Sequence, residues 1–523
     1  VVQKMGRAQN NNSKPKYRKN SSQSASAQKK EAAALSDEGA VTNSASSAAS
    51  RIVEKIVIIA KLVTKTPLNI ASGETDDVLD SYILKNKDNE ALIPGTSLAG
   101  ALRARVTDAA VRKDIFGESG ENDNQSIINI SDVLLDKAAT EYRDGIRIDG
   151  QTGVVEDGAK FDYEVLAAGA SGELTLEFTI REDSRKNKPE DYYLTHAQEI
   201  AAMLEEGISL GAGTSKGLGL IAASSISLYR FCFTADFKKW MNYLDGKLDC
   251  LQNLYSPVDS GKKHAVADFY VKMECALRGS LIVKAFDDDA KSSEQVANEC
   301  NEQSANDGRT QFPARQMQNK THYIIPGSSF KGALCARAEK ILAAINKNLS
   351  AAARQKYLAA IKGFANKPDS KGQKSRLFVD EVLIAKEKLE PIEQTRNRID
   401  RFTGGTIDGA LFTVIAVWQK AADKPSIELK FGVKQCAEDE AGLMLCLLKD
   451  LWLGKLPLGG EKGVGRGVLQ GLRAEIDYQG KHYIIGDGLD KAELDKREHL
   501  NAYVDALVKK LSAGGNDDVA TEA

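Results

Sequence analysis

One segment of the chain occurs twice, and this duplication constrains the fold more than any other feature. Residues 147–161 and 398–412 align without a gap: each reads Arg-Ile-Asp, a Thr-Gly turn, then Asp-Gly-Ala and a Phe that opens an alternating run. Solenoid repeats recur every roughly 20–50 residues, whereas these two copies lie much further apart. The duplication therefore predicts two related domains on one chain.

Other landmarks are duplicated in the same order. The string Ile-Pro-Gly-x-Ser-x-x-Gly-Ala-Leu-x-Ala-Arg stands at residues 93–105 and again at 325–337. The remaining duplicated pairs are two strand-like segments and one glycine-rich segment, at residues 126–135 and 375–384, 172–180 and 427–433, and 211–219 and 459–467. Residues 52–63 are rich in Ile and Val and predict a central strand at the start of the first copy.

Each Ile-Pro-Gly string predicts a tight turn followed by a helix. In the first copy we expect Ser97 to cap this helix. The apolar residues that then share one helical face are Leu98, Ala101, Leu102 and Val106. A helix N-terminus after a glycine turn can bind an anion through its free N–H groups and its dipole, and Arg103 and Arg105 lie beside this helical face.

The glycine-rich segments suggest nucleotide binding, but their details do not fit it. Neither segment is closed by Gly-Lys-Ser/Thr, and neither stands in a strand-loop-helix order. Glycines together with Lys216, Lys462 and Arg466 suit loops whose backbone amides and cations approach a phosphate chain. A purely structural turn between a helix and a strand is the alternative.

Length and composition limit the class of protein. The 523 residues have room for two to four domains, and the net charge of −2 gives no global field for nucleic acid. The seven cysteines are scattered without a Cys-x-x-Cys, which indicates reduced thiols and a cytoplasmic protein. No segment approaches the roughly 20 apolar residues of a membrane helix, so we expect no membrane partner.

Composition also predicts the boundaries of the folded parts. Residues 1–50 are rich in Ser, Asn, Ala and Lys, which predicts a disordered basic tail, either simply solvated or a loose electrostatic arm for RNA. The predicted organisation after this tail is a first domain, a linker, a second domain, a charged helix and a disordered end, at residues 51–235, 236–265, 266–485, 486–511 and 512–523.

The ordered set of motifs resembles the RAMP superfamily of CRISPR–Cas proteins. The resemblance covers residues 51–235 and 265–480 and is closest to the Cas-seven-type backbone subunits of type III effector complexes. The chain looks like a tandem fusion of two such subunits, as in type III-D-like complexes. The resemblance implies an α+β fold, with two tandem RRM-like (ferredoxin-like) domains that each carry an inserted β-hairpin thumb.

The same resemblance implies a function and a catalytic residue. Backbone subunits of this kind line the CRISPR RNA, and their thumbs displace about every sixth nucleotide of the guide–target duplex. An aspartate in the loop upstream of Ile-Pro-Gly serves metal-dependent cleavage of the target RNA, and Asp80 matches it, with Asp76 and Asp77 as alternatives. Asp80 is therefore the predicted catalytic residue and ligand of Mg²⁺ (or Mn²⁺), and one carboxylate suffices for an ion that keeps most of its waters.

The second copy departs from the pattern. The loop between Leu281 and Pro326 is longer than its counterpart, and Asp307 is its best match to the catalytic aspartate, so a second half without activity stays open. The first copy has Ala99 where the family has a lysine, which the second keeps as Lys331.

The predicted RNA-binding residues come from the duplicated motifs and from a basic loop near residue 374. They are Ser97, Arg103, Arg105, Arg147, Thr152, Gly211, Gly213, Lys216, Ser329, Lys331, Arg337, Lys374, Arg398, Arg401, Phe402, Lys462 and Arg466. The expected partners are CRISPR RNA, single-stranded target RNA and other effector subunits, namely a large polymerase-like subunit and further backbone and small subunits.

Three functions follow as hypotheses. The first is an RNA-guided, metal-dependent endoribonuclease subunit, with the first domain favoured as the active one. The second is a non-catalytic scaffold that holds the guide RNA. The third, a processing nuclease for CRISPR RNA precursors, is disfavoured because such enzymes usually use a histidine, and no histidine here lies in a duplicated motif.

Overall fold

The computed structural model describes residues 50–75, 79–118, 125–136, 139–149, 152–257, 268–285, 313–365, 371–420, 427–486 and 491–514. Residues 51–523 form one compact unit. Apart from Ser50, the predicted basic tail lies outside the described residues, as do Asp76, Asp77 and Asp307.

The first half contains nine strands and five helices among its described residues. Its strands are β1 Ile52–Thr64, β2 Leu92–Ile93, β3 Ile128–Ile130, β4 Val133–Leu134, β5 Thr140–Ile148, β6 Val155–Leu166, β7 Ser171–Arg181, β8 Ile208–Ser209 and β9 Leu220–Cys232. Its helices are α1 Gly95–Arg105, α2 Ala109–Phe116, α3 Glu182–Arg185, α4 Tyr192–Glu206 and α5 Phe237–Leu244.

The second half repeats this order of elements. Its described strands are β10 Phe269–Arg278, β11 Ser280–Leu281, β12 Lys284–Ala285, β13 Ala314–Gln316, β14 His322–Ile325, β15 Leu377–Val379, β16 Val382–Ala385, β17 Leu389–Arg396, β18 Phe412–Gln419, β19 Ile427–Val433, β20 Val468–Tyr478 and β21 Lys481–Gly486. Its described helices are α6 Gly327–Ile345, α7 Ala351–Lys362, α8 Glu438–Trp452 and α9 Lys491–Gly514.

The two main sheets have the same topology in four of their five strands; the fifth differs, because β8 comes before β9 in the chain whereas β21 comes after β20. The first has the order β3-β7-β1-β9-β8 and the second β15-β19-β10-β20-β21, and all neighbours in both are antiparallel. The chain order of strand, helix, two strands, helix, strand, with the first strand in the middle, is that of a ferredoxin-like domain. The predicted α+β fold with two tandem domains of this type is confirmed.

The apolar pattern of the central strands explains how the sheets are covered. In β1, alternate residues such as Ile56 and Ile58 pack into the main core of the first half, while Val57 points to the opposite face. Helix α5 covers that face with Trp240 and Tyr243. A strand that is buried on both faces is apolar almost throughout, which accounts for the sequence of β1.

The helix that follows Ile-Pro-Gly forms as predicted, but its cap differs from the prediction. Leu98 and Leu102 are fully buried. The prediction that Ser97 caps α1 is wrong, because Pro94 occupies the N-cap position and Ser97 lies within the first turn. A side chain from the connection between β3 and β4 takes the capping role, since the Gly95 N–H donates to Asp132 Oδ1 at 2.7 Å.

Each half carries a β-hairpin beside its main sheet. Strands β5 and β6 form it in the first half, and β17 and β18 form it in the second. The duplicated Arg-Ile-Asp segments lie at the tips of these hairpins, which we call the thumbs.

No helix in the described part of the chain combines the length and apolarity needed to cross a membrane.

Candidate functional site

Asp80 is held in a fixed place beside the thumb of the first half. Its N–H donates to the Asp162 carbonyl at 2.9 Å, and its Oδ2 accepts from the Asp162 N–H at 2.8 Å. The next residue, Ser81, pairs in parallel with Tyr163. Asp80 is therefore an exposed residue outside the regular strands, and two hydrogen bonds and an adjacent bridge anchor it to the edge of β6.

A buried carboxylate fastens the segment after Asp80 to β6. The side chain of Glu164 is 2% exposed and accepts hydrogen bonds from the Ile83 N–H and from Lys85 Nζ, both at 3.1 Å. Because a buried carboxylate is costly unless it is paired, these contacts tie the segment after Asp80 to the thumb. The position of Asp80 is thus set by backbone pairing on one side and by a buried ion pair on the other.

The carboxylates of the first thumb form a short row. Asp144 on β5 stands directly opposite Asp162 on β6, and Asp80 is bonded to Asp162 from the other side. The ammonium of Lys160 lies 3.0 Å from Asp162 Oδ2 and 4.0 Å from Asp144 Oδ1. The hydrogen bond to Asp162, together with the charges of Asp162, Asp144 and Asp80, raises the pKa of Lys160. We call Asp80, Asp144, Asp162 and Lys160 the charged row.

The second half has neutral residues at all four equivalent positions. Ala314 pairs in parallel with Val414 as Ser81 pairs with Tyr163, and the duplicated segments align Tyr163 with Val414, so Pro313 is the counterpart of Asp80. The counterparts of Lys160, Asp144 and Asp162 are Leu411, Thr395 and Thr413. The two threonine hydroxyls lie 3.0 Å apart and bond to each other. The sheet register therefore places Pro313 at the Asp80 position, and a catalytic role of Asp307, which lies outside the described residues, stays a prediction.

The carboxylate oxygens of the charged row suit a metal ion that keeps most of its waters, and they do not suit an ion enclosed by several protein ligands. Asp80 Oδ1 accepts no hydrogen bond from the described residues, whereas Oδ2 is used by Asp162. The described residues contain no group of three or more His, Cys, Asp or Glu side chains arranged to hold a metal ion. One available carboxylate oxygen fits Mg²⁺, which retains most of its waters when bound through one or two carboxylates.

The first glycine-rich segment joins the two halves. A Cβ at Gly217, whose φ is +82°, would lie 2.3 Å from the Glu381 nitrogen of the second half. Lys331 of α6 donates to Ser215 Oγ at 2.8 Å, to Ser375 Oγ at 2.7 Å and to the Leu377 carbonyl at 2.8 Å. All three donors of the ammonium are thus used within the protein. Burial lowers the pKa of Lys331 to about 8.

A buried ion pair crosses the same junction. Arg143 on β5 contacts Glu381 at 3.2 Å and Glu141 at 2.8 Å, and the side chains of Arg143 and Glu381 are each only 4% exposed. Burial raises the pKa of Glu381, and the Arg143 guanidinium opposes this shift. Because Arg143 precedes Asp144, the junction between the halves is directly adjacent to the charged row.

Both thumb tips are shaped by an aspartate turn and expose cations or apolar groups. Asp149 Oδ1 accepts from the Thr152 N–H at 2.6 Å, and Asp400 Oδ1 accepts from the Phe402 N–H at 2.7 Å. These hydrogen bonds leave Phe402 99% exposed. Hydrogen bonds from the Thr403 and Phe402 N–H groups lower the pKa of Asp400.

The duplication seen in sequence and fold is matched by one protein family. The model of the RAMP superfamily matches residues 61–222 and, separately, residues 278–470, which together are more than half of the chain. The chain belongs to the RAMP superfamily. Its two halves are two RAMP domains in tandem.

No curated protein matches the chain. Similar solved structures include cryo-EM structures of Type III-B Cmr-beta, one in the apo state and one bound to cognate target RNA. Each alignment has 12% sequence identity and a TM-score of 0.28, and it covers 32% of this chain and 96% of the other chain.

The predicted RNA-binding residues fall into distinct groups in the two RAMP domains. The exposed cations are Arg103, Arg105, Arg147, Lys216, Lys374, Arg398, Arg401 and Lys462. Arg147 also contacts Glu156 at 3.1 Å, and Arg105 bonds to the Gly207 carbonyl and to Glu206 on α4. Arg337 bonds to Asp450 at 2.6 Å. RNA contact at these positions stays a prediction.

Two predicted phosphate contacts do not fit the structure. Arg466 is 2% exposed and bonds to Glu461, Ser280 and Gln394, so its guanidinium stabilises the interior of the second RAMP domain. Lys331 is bonded within the junction. A cation next to glycines has the same sequence pattern whether it faces RNA or the protein interior, which explains both errors.

The small and hydroxyl residues of the prediction serve local structure. A Cβ at Gly211 would lie 2.1 Å from the Asn69 carbonyl oxygen, so this glycine permits a close approach of the loop to the residues after β1. Gly213 has a φ of +74° and packs against Leu218. Ser97 and Ser329 lie in the first turns of α1 and α6, and Thr152 bonds to Asp149 through both its N–H and its hydroxyl.

Sequence reasoning missed the residues that surround Asp80. Lys160 is inside the duplicated segment, where the second copy has Leu411, so the difference between the copies was a visible signal. Asp162 and Asp144 give no such signal by themselves, because only the hairpin register brings them together with Asp80.

Proposed function

We propose that the chain is a backbone subunit of a type III CRISPR effector complex in the cytoplasm, and that its first RAMP domain cleaves target RNA. The observation that carries the proposal is the fixed place of Asp80 in the charged row, against Pro313 at the same register in the second domain. Membership in the RAMP superfamily and the resemblance of the motifs to type III backbone subunits support it. The second domain then holds guide RNA without cutting.

The reaction that suits this site is attack of a ribose 2′-oxygen on the adjacent phosphorus. The 2′-hydroxyl loses its proton, the 5′-oxygen leaves and takes up a proton, and the products end in a cyclic phosphate and a 5′-hydroxyl. A nucleotide displaced by the thumb frees the phosphate from helical geometry, so that attack in line becomes possible. Mg²⁺ held by Asp80 would supply stabilisation of the charge that develops on the phosphate oxygens.

The protein's own contribution is to hold the carboxylate of Asp80 in one position at the edge of the thumb. Backbone bonds to Asp162 fix the aspartate at the edge of the thumb, where the displaced nucleotide is expected. A group placed on a rigid strand loses little entropy on reaching the reactive geometry. The exposed cations at the thumb tips, Arg147, Arg398 and Arg401, suit the RNA backbone.

The free end of the tandem suits a further subunit. In the first domain Gly217 is packed against the second domain, whereas a Cβ at its counterpart Gly465 would meet no atom of the described residues within 4 Å. The adjacent Val464 is 64% exposed. These features support docking of another effector subunit on the second glycine-rich segment, as expected for a complex built on CRISPR RNA and target RNA.

A non-catalytic scaffold is the second candidate. It is favoured because the described residues contain no group of three or more His, Cys, Asp or Glu side chains that could hold a metal ion. Both candidates predict binding of guide RNA, so only cleavage separates them.

The test is cleavage of end-labelled complementary RNA by the reconstituted complex, with and without Mg²⁺. Asp80→Ala should remove the cut assigned to the first domain, at least about 100-fold in rate, because it removes a group that acts in the transition state. The matched control is Asp88→Ala, an exposed aspartate further along the same segment, and it should cut normally. Cleavage that persists in Asp80→Ala with target binding intact would leave the scaffold function in its place.

A further inference from the structure

Lys160 is the cation of the charged row, and the row is unfavourable without it. Asp144 and Asp162 face each other across β5 and β6. Like charges directly opposite in an antiparallel pair destabilise the sheet. Lys160 precedes Asp162 by two residues, so it is on the same face of β6, and its ammonium reaches both carboxylates.

Folding alone does not account for this arrangement. The second thumb has the same hairpin geometry with a hydrogen-bonded threonine pair in place of the two aspartates and with Leu411 in place of Lys160. The side chain of Lys160 is 65% exposed, and exposed ion pairs add little to stability. A neutral hairpin would therefore serve the fold at least as well, and the charges exist only where Asp80 is present.

The contacts lead from Lys160 to Asp80 through one residue. Lys160 bonds to the carboxylate of Asp162, and the backbone N–H and carbonyl of Asp162 hold Asp80. The ammonium also offsets part of the negative charge that an approaching phosphate would meet, since the three aspartates would otherwise repel it.

We propose that Lys160 is a positioning residue for cleavage by the first domain, which neutralises Asp144 and Asp162 so that Asp80 can receive an RNA phosphate. The inference rests on the proposed function. It adds that the second domain lacks both an aspartate at the Asp80 position and the charged residues that would hold such an aspartate in place.

The test uses the residues that the second domain has at the same positions. Lys160→Leu should slow single-turnover cleavage at the first-domain cut by about fivefold, the equilibrium value of one partly exposed charge interaction. Affinity for target RNA and the thermal unfolding midpoint should change only slightly, because the side chain of Lys160 is 65% exposed and exposed ion pairs add little to stability. Lys160→Arg should restore most of the rate, because it keeps the charge. The control Leu411→Lys, in the second domain, should cut as the unchanged chain does.

A second variant separates charge from structure. If Lys160 acts by neutralising the row, then Lys160→Leu combined with Asp144→Thr should cut faster than Lys160→Leu alone. The defect of Lys160→Leu should also shrink as ionic strength rises, since salt screens exposed charges. If Lys160 had a purely structural role, the double variant would cut no faster than Lys160→Leu, and the defect of Lys160→Leu would not depend on salt.

The outcomes distinguish this inference from the proposed function. If Asp80→Ala abolishes cleavage while Lys160→Leu cuts at the normal rate, the role of Lys160 is refuted and the function stands. Equal defects in Lys160→Leu and Lys160→Arg, or a double variant as slow as Lys160→Leu, also overturn the inference. If Asp80→Ala cuts normally, it is the proposed function that fails.

Discussion

The two thumbs have the same fold but differ in the chemistry that they carry. The first combines Asp80, Asp144, Asp162 and Lys160 in one charged row, and the second has Pro313, Thr395, Thr413 and Leu411 at the same positions. The glycine-rich segments differ in parallel, since Gly217 is packed in the junction and Gly465 faces open space. The two domains thus share one fold. The first domain carries the charged row, and the second carries a glycine-rich segment that is not packed in the junction.

The largest effect on stability is expected at the buried ion pair of the junction. Arg143→Met should lower the free energy of unfolding by about 3–5 kcal/mol, because it leaves Glu381 buried without its cation. Chemical denaturation of the purified chain measures this loss. The double variant Arg143→Met, Glu381→Met should recover most of it, and a double variant that is as unstable as the single one would show that the pair does not join the halves.

The paired glycines give the next largest effect. Gly217→Ala should destabilise the chain by roughly 2–4 kcal/mol, because its Cβ would clash with the backbone of Glu381 and its φ is +82°. Gly465→Ala has the same type of backbone, with a φ of +83°, but no neighbour to clash with, so it should cost only about 1 kcal/mol. Equal losses in denaturation experiments would contradict the assignment of the first segment to the junction.

The effect that is smallest near neutral pH is a dependence of stability on pH at Lys331. Its pKa is about 8 in the folded chain against an ordinary value of 10.5, so the unfolded state binds more protons between these pH values. The contribution of Lys331 to the free energy of unfolding should therefore increase as pH rises from about 8 to 10.5. Lys331→Met should reduce this slope relative to the unchanged chain, and identical slopes would mean that the lysine is not desolvated.

The architecture could be predicted because the duplicated motifs report on backbone geometry. The apolar run of β1, the alternation of β7 and β19 and the Pro-Gly helix starts each follow from local patterns. Their order carried the resemblance to the RAMP superfamily, and that resemblance implied the ferredoxin-like domains. The cap of α1 could not be predicted, since Asp132 lies in the connection between β3 and β4, which only tertiary packing brings to Gly95.

The sequence predicted only part of the candidate site, because the sheet register decides which residues lie beside Asp80. Asp80 lies 14 residues before Pro94 and Pro313 lies 13 residues before Pro326, so a fixed spacing leads close to Pro313, whereas the search for an aspartate led to Asp307, whose catalytic role stays a prediction. Parallel pairing of Ala314 with Val414 identifies Pro313 as the counterpart of Asp80 in the sheet register. Partners across strands, such as Asp144 and Asp162, are not adjacent in sequence and leave no local pattern.

The central claim is that one chain cuts the target once. The most direct measurement maps the cut positions on end-labelled target RNA in a reconstituted complex of known stoichiometry, with the unchanged chain, Asp80→Ala and Asp307→Ala. The account predicts one cut for each copy of the chain, loss of that cut in Asp80→Ala and an unchanged pattern in Asp307→Ala. Two cuts for each chain, with one of them lost in Asp307→Ala, would show that the second domain is also catalytic and would contradict the account.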